Sequence, residues 1–134
     1  MRNVFKQEAA GRLFGDYAGR ISKFTACEAA GKSAALRETP ARTAWVCNRA
    51  GKIISSEELA IALEKITSSG SRLFQIAVGG PDGFSADETA KLRPDFEWSF
   101  GRLTLPHELA AVVAAEQIYR AWTILRGLPY HCGH

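Results

Sequence analysis

The stretch LFQIAVGGPDGFSADETAKLRPDFEWSF runs from Leu73 to Phe100. LFQIAV (Leu73–Val78) is nearly all apolar, as a strand covered on both faces of a sheet should be. GGPDG follows it directly. ADETAKLR (Ala86–Arg93) reads as a short polar helix, and EWSF (Glu97–Phe100) as another strand. Strands alternating with helices predict an α/β domain with a mostly parallel sheet.

The flanking sequence continues this alternation. Upstream, TAWVC (Thr43–Cys47) is short, β-branched and aromatic, which predicts a buried strand, with NRAGK turning the chain after it. Ser55 and Glu58 form a capping box that opens a helix, whose apolar stripe is Leu59, Ala62, Leu63 and Ile66. SSGS (Ser68–Ser71) ends that helix. Nearer the N-terminus, Leu13, Phe14, Tyr17, Ile21 and Phe24 recur at helical spacing and predict a helix over about Phe5–Phe24. CEAAGKSAALRE then reads as a weaker helix stopped by Pro40. Downstream, Pro106 suits the first turn of the last helix, to which Leu109, Val112, Val113, Tyr119, Trp122 and Leu125 supply apolar contacts. Gly127 suits a left-handed cap, and Pro129 prevents continuation.

The chain has 134 residues, the size of one ordinary domain spanning 1–134, with 46% apolar and 23% charged residues. No apolar run approaches the ~20 residues needed to span a bilayer, and the charged N-terminus has no signal-peptide core. Cys27, Cys47 and Cys132 are odd in number and far apart, against a disulfide framework or zinc cage. We therefore expect a cytoplasmic protein with neither a membrane nor a metal among its partners. The net charge of +3 is uneven: residues 1–84 hold 12 Lys/Arg against 8 Asp/Glu, and residues 85–134 hold 5 against 6. That balance permits a polyanionic partner without demanding one.

Three loops could carry chemistry. In parallel sheets ligands sit beyond the carboxyl ends of strands, where GGPDG lies, although Gly-Pro-Asp-Gly is also ordinary turn sequence. GRLTLPHELA offers the Thr104 hydroxyl and a backbone around Leu103–Leu105 able to embrace a flat ring; it also reads as a plain helix-start connection. The tail LPYHCGH holds His131, Cys132 and His134, a set more common as a solvated terminus than as a metal site. Glu116 and Arg120 stand four apart in the favourable order, near the apolar stripe, either as a helix-stabilising pair or as an Arg held ready for phosphate. Trp98 and Trp122 read as core. Ser-His-Asp, HExxH, GxxxxGK[ST] and GxGxxG patterns are all missing, which weakens hydrolase, metalloenzyme and nucleotide-triphosphatase readings.

IAVGGPDGFS, followed by EWSFGRLTLPHELAAVVAAEQIYRAWTILRGLPYH, closely resembles the RlmH family over about Trp45–His131. These are the ribosomal RNA large-subunit (23S) methyltransferases that modify N3 of a pseudouridine, within the SPOUT superfamily. The GGP-x-G loop, the S-x-x-x-L-T-L-P-H loop, the E-Q-I-Y-R-A helix motif and the terminal P-Y-H carry the resemblance together. It implies a deep C-terminal trefoil knot, a homodimer, and S-adenosylmethionine held in the knot loops. Carried over by position, the cofactor residues are Gly79 and Gly80, then Phe100, Gly101, Arg102, Leu103, Thr104 and Leu105, with Pro106 closing the loop. Cys47 stands where the family usually has Leu.

The resemblance offers His107, Arg120, Tyr130 and His131 as catalytic candidates, with Tyr130 and His131 ranked first for engaging the RNA end of the site. Held in line with N3, a sulfonium methyl gains much of its transfer rate from proximity, and the weakly acidic N3 hydrogen needs only modest electrostatic help to leave. A chain of modest charge suits a preformed surface in the large subunit or assembled ribosome, contacted by both subunits, better than bare RNA. Family members also open with a hydrophobic strand and carry another after the first helix. Relative to them this chain is expected to lack about two strands of about five residues each. A misplaced start codon, a decayed gene or a covering dimer would each account for that. The alternative function is therefore a degenerate, non-catalytic knotted dimer that binds ribosome or cofactor. A more distant one is a small nucleotide binder that uses GGPDG alone.

Overall fold

The computed structural model describes residues 5–27, 29, 42–79 and 84–131. The elements run α1 (Glu8–Ile21), β1 (Arg42–Ile53), α2 (Ser56–Ser68), β2 (Leu73–Val78), α3 (Ala86–Leu92), β3 (Phe96–Ser99) and α4 (His107–Leu125). The weak helix expected around CEAAGKSAALRE, the second expected gap beside it and most of GGPDG lie outside the described residues.

Among the described residues the sheet has three strands in the order β2-β1-β3, and both pairings are parallel. The register is set where the strands begin. Thr43 Oγ1 meets Ser71 Oγ at 2.7 Å just before β2, while the Ala44 amide donates to Asp95 Oδ2 at 2.7 Å just before β3. Aromatic packing continues the alignment. Trp45 on β1 touches Phe74, Phe96 and Trp98 at centroid distances of 5.1, 4.6 and 5.5 Å, and Trp98 reaches Phe100 at 4.8 Å. Offset and edge-on pairs of this kind are worth about 0.5–1.5 kcal/mol each beyond their burial.

Two expectations change here. LFQIAV is the expected strand, but its residues are only half-buried, because β2 lies at the edge of this sheet. NRAGK does not turn the chain. β1 continues to Ile53 through an irregularity in which Cys47 and Lys52 both lie opposite Trp98, so residues 48–51 bulge out of register. The Asn48 side chain fixes the bulge, accepting from the Ala50 amide and donating to Glu97 Oε1. Gly51 is needed because a Cβ there would lie 2.5 Å from the Glu97 carbonyl oxygen.

α2 opens with the expected capping box, both bonds of which form between Ser55 and Glu58. α4 is the scaffold against which both α1 and α2 pack. Its buried positions are mostly small, among them Ala110, Ala114, Ala115 and Ala121, which lets two helices approach closely. Leu109 was expected to contribute to this face but is 43% exposed. Pro106 is the N-cap residue just before the first turn. Gly127 takes φ +67° as expected, and the Gly127 and Leu128 amides return to the carbonyls of Ile124 and Thr123, ending the helix in a left-handed cap.

Glu108 ties the start of α4 to the start of α1. Its two carboxylate oxygens accept the Lys6 and Gln7 amides at 2.8 and 2.9 Å, and these bonds hold its pKa below the ordinary 4.5. A depressed folded pKa contributes stability that is present above the ordinary value and lost as pH falls through the folded one. Thermal unfolding followed by circular dichroism should therefore show acid destabilisation below pH 4.5 that is shallower in Glu108→Gln. Gly51→Ala should lower chemical-denaturation stability by about 1–3 kcal/mol, the usual cost of forcing a methyl into filled space.

Candidate active site

The three strands deliver their carboxyl ends to one side of the sheet. The chain leaves the central β1 for β2 on one flank and then crosses to β3 on the other, so the loops diverge and open a crevice. A cleft of about 790 Å³ lies there. It is bounded by Cys47–Ala50 from β1, Val78 at the end of β2 and Gly79 just after it, Trp98 from β3, Phe84, the Phe100–Leu105 loop, and His107 and Ala110 from α4.

Of the expected cofactor residues, Cys47, Gly79, Phe100, Gly101, Arg102, Leu103, Thr104 and Leu105 all line this cleft. Gly80 lies outside the described residues, and Pro106 stands behind the loop as the N-cap of α4. Gly101 takes φ +111°, which side chains rarely tolerate. The buried Ser99 hydroxyl accepts the Gly101 amide at 3.0 Å and reaches the Gly101 and Arg49 carbonyls at 3.2 and 3.0 Å. Leu103 is 78% exposed, an apolar side chain held at the rim. Burial pushes the Cys47 thiol up to about 12, so it serves as an apolar wall rather than a nucleophile. Arg49 and Arg102 are cationic, and the described lining contains no carboxylate. A mixed apolar and cationic cleft of this size can take a small ligand with a flat ring and an anionic group.

The four catalytic candidates separate. His107 lines the cleft at the start of α4. Arg120, Tyr130 and His131 assemble elsewhere, around Glu116. Glu116 Oε2 accepts Arg120 Nη2 at 2.9 Å and the Tyr130 hydroxyl at 2.8 Å, in a pair whose side chains are each 18% exposed. Burial, then the Glu116 carboxylate, pushes the Tyr130 phenol well above its ordinary range, so it acts as a neutral donor rather than a base. Arg120 Nη1 meets His131 Nδ1 at 3.0 Å, and His131 Nε2 meets Glu57 Oε2 at 3.0 Å. Arg can only donate, so Nδ1 accepts and Nε2–H donates to Glu57. The His131 hydrogen bond is the main cause lowering the Glu57 pKa.

These bonds close a ring. Ser56 Oγ donates to Gln117 Oε1 at 2.7 Å, and Gln117 Nε2 donates to Glu116 Oε1 at 2.7 Å. The path then runs through Arg120 and His131 to Glu57, the neighbour of Ser56. Sequence reasoning missed Asn48, Arg49 and Ala50 at the cleft, although NRAGK follows its strand as GGPDG does. It also missed Glu57, for which no local pattern gave a signal. Trp98 was read as core; it is 3% exposed and walls the cleft as well.

The sequence has counterparts among known proteins. A family model described as "Predicted SPOUT methyltransferase" matches residues 4–131, and the chain belongs to this family of SPOUT methyltransferases. A Koribacter versatilis protein is 42% identical over 137 residues, covering 96% of this chain and 92% of the relative. A Methylocella silvestris protein is 36% identical, covering 97% and 86%. One from Listeria welshimeri is 48% identical over 81 residues, covering 60% and 50%. All three are named ribosomal RNA large subunit methyltransferase H.

Glu116→Gln should cost about 1–3 kcal/mol by weakening two charge-assisted bonds, and Tyr130→Phe about 1 kcal/mol. Denaturant titration measures both. Amide exchange at Tyr130 and His131 should rise in each variant.

Proposed function

We propose that this chain is a cytoplasmic S-adenosylmethionine-dependent methyltransferase that modifies N3 of a pseudouridine in 23S ribosomal RNA. In this reading a single domain, 1–134, carries a C-terminal trefoil knot and works as a homodimer on the large subunit or assembled ribosome. The observation that carries it is the convergence of Cys47, Gly79 and Phe100–Leu105, from three separate segments, on one cleft of about 790 Å³. The names of the relatives support the substrate.

Bound in the cleft, the cofactor would supply a methyl group on a sulfonium, an excellent leaving group. Gly79 and Gly101 would bring backbone close to it, and Leu103 would cover a flat ring. Arg102 would favour its carboxylate and the phosphates of an approaching RNA. Arg120 would hold positive charge where the base's negative charge develops as the N3 proton leaves. Tyr130, kept neutral with its proton given to Glu116, would offer its phenol oxygen as an acceptor and orient the base.

The two groups of residues cannot serve one reaction within one chain. His107 and Arg120 lie on the same helix, α4, and at ~1.5 Å rise per residue they stand about 20 Å apart along its axis. A homodimer resolves this by laying the tail cluster of one protomer beside the cleft of its partner. The knot then has a function: a threaded loop fixes the cofactor backbone without a lid.

Calorimetry on the dimeric protein should show S-adenosylmethionine binding in preference to ATP. Preference for ATP would instead favour the nucleotide-binder reading. Gly101→Val should abolish cofactor binding while keeping the circular dichroism spectrum. Expression in a strain lacking its own enzyme should restore the pseudouridine methylation. Failure despite good expression and cofactor binding would leave a non-catalytic dimer.

A further inference from the structure

We propose that Ser99 and Arg49 are positioning residues that hold the Phe100–Leu105 loop open for the cofactor from two sides. The proposal rests on the reading of the cleft as a cofactor site. Neither residue was assigned a role by the loop motif's own backbone, and they act from different strands.

Ser99 is 2% exposed, at the end of β3. Its hydroxyl has no apolar alternative there. It accepts the Gly101 amide and lies within 3.2 Å of the Gly101 carbonyl, which pins the residue whose φ is +111°. The same oxygen stands 3.0 Å from the Arg49 carbonyl, so one buried group ties the loop to the bulge in β1. Arg49 then reaches over the cleft, and its Nη1 donates to Thr104 Oγ1 further along the same loop. Two points of the loop, Gly101 and Thr104, are thereby referred to a single rigid feature.

That feature is well fixed. The Asn48 side chain bonds both the Ala50 amide at 3.0 Å and Glu97 at 2.8 Å, and Gly51 lies against the Glu97 backbone. The bulge is thus an anchor, and it explains why β1 departs from its register beside the cleft. A loop held in its binding conformation loses less entropy when the cofactor arrives.

Hydrogen–deuterium exchange without cofactor tests the anchor, and calorimetry with S-adenosylmethionine tests its consequence. Ser99→Ala and Arg49→Ala should each speed amide exchange at Gly101–Leu105 and leave α4 unchanged. Affinity should fall about tenfold in Ser99→Ala and about threefold in Arg49→Ala, as for loss of one hydrogen bond. Arg49→Lys should recover part of the loss. Thr104→Val should add little to Arg49→Ala, since both remove one contact. KM for the cofactor should rise with kcat at saturation little changed, the pattern of lost binding. Unchanged exchange in both variants would overturn the proposal. So would tighter binding by Arg49→Ala, which would make Arg49 a plug. Altered exchange with no cofactor binding by the unsubstituted protein would instead overturn the cofactor reading of the cleft.

Discussion

Everything at the cleft depends on how Trp45 is held. It sits on the central strand, 4% exposed, with Phe74 from β2 on one side and Phe96 and Trp98 from β3 on the other. A parallel pair shifted by one residue would turn every side chain to the opposite face. Such a shift would separate these rings and break the Thr43–Ser71 and Ala44–Asp95 bonds below them. The register that satisfies the aromatics is therefore the one that brings Cys47, Val78 and Trp98 to the same level. The cleft's geometry follows from core packing, since at that level β1 enters its bulge after Cys47, β2 ends at Val78 and β3 ends one residue past Trp98.

α4 sets the second distance. It carries His107 at the cleft and Arg120 in the tail cluster, and α1 and α2 both pack against it. Small side chains make this possible: Ala110, Ala114, Ala115 and Ala121 leave room for two neighbours at once. Glu108 adds a fixed end by accepting the amides that precede α1. The helix thus carries different chemistry at its two ends, the cleft at His107 and the tail cluster at Arg120.

Much of this was legible in sequence, and the legible parts are local. The Ser55–Glu58 box, the extent of LFQIAV and the glycine cap at Gly127 each depend on residues a few positions apart, so a linear string contains their cause. The Phe100–Leu105 loop was singled out through resemblance to a family, not through physics; read alone, GRLTLPHELA is a helix-start connection. What was misread depends on distant partners. NRAGK has turn composition, yet Asn48 and Gly51 answer to Glu97 on another strand and produce a bulge. Leu109 has the right spacing for the core face, but among the described residues it is left 43% exposed. The half-buried state of β2 follows from sheet order, which its own six residues do not encode.

The tail illustrates how a weak local signal becomes a defined structure. Tyr130 and His131 follow a proline in a segment with no secondary structure to hold it. The glycine cap reverses the chain so that the Tyr130 ring meets Tyr119 at 4.6 Å, and the hydroxyl then finds Glu116. From there the hydrogen-bond directions are forced. Glu116 can only accept and Arg120 can only donate, so the acceptor left to Arg120 Nη1 is the His131 Nδ1 lone pair. His131 must then donate from Nε2, and Glu57 is the acceptor that meets it. Ser56 closes the same circuit through Gln117. One carboxylate on α4 thus fixes the orientation of a tyrosine, an arginine and a histidine, two of them in a tail that composition alone reads as a solvated terminus.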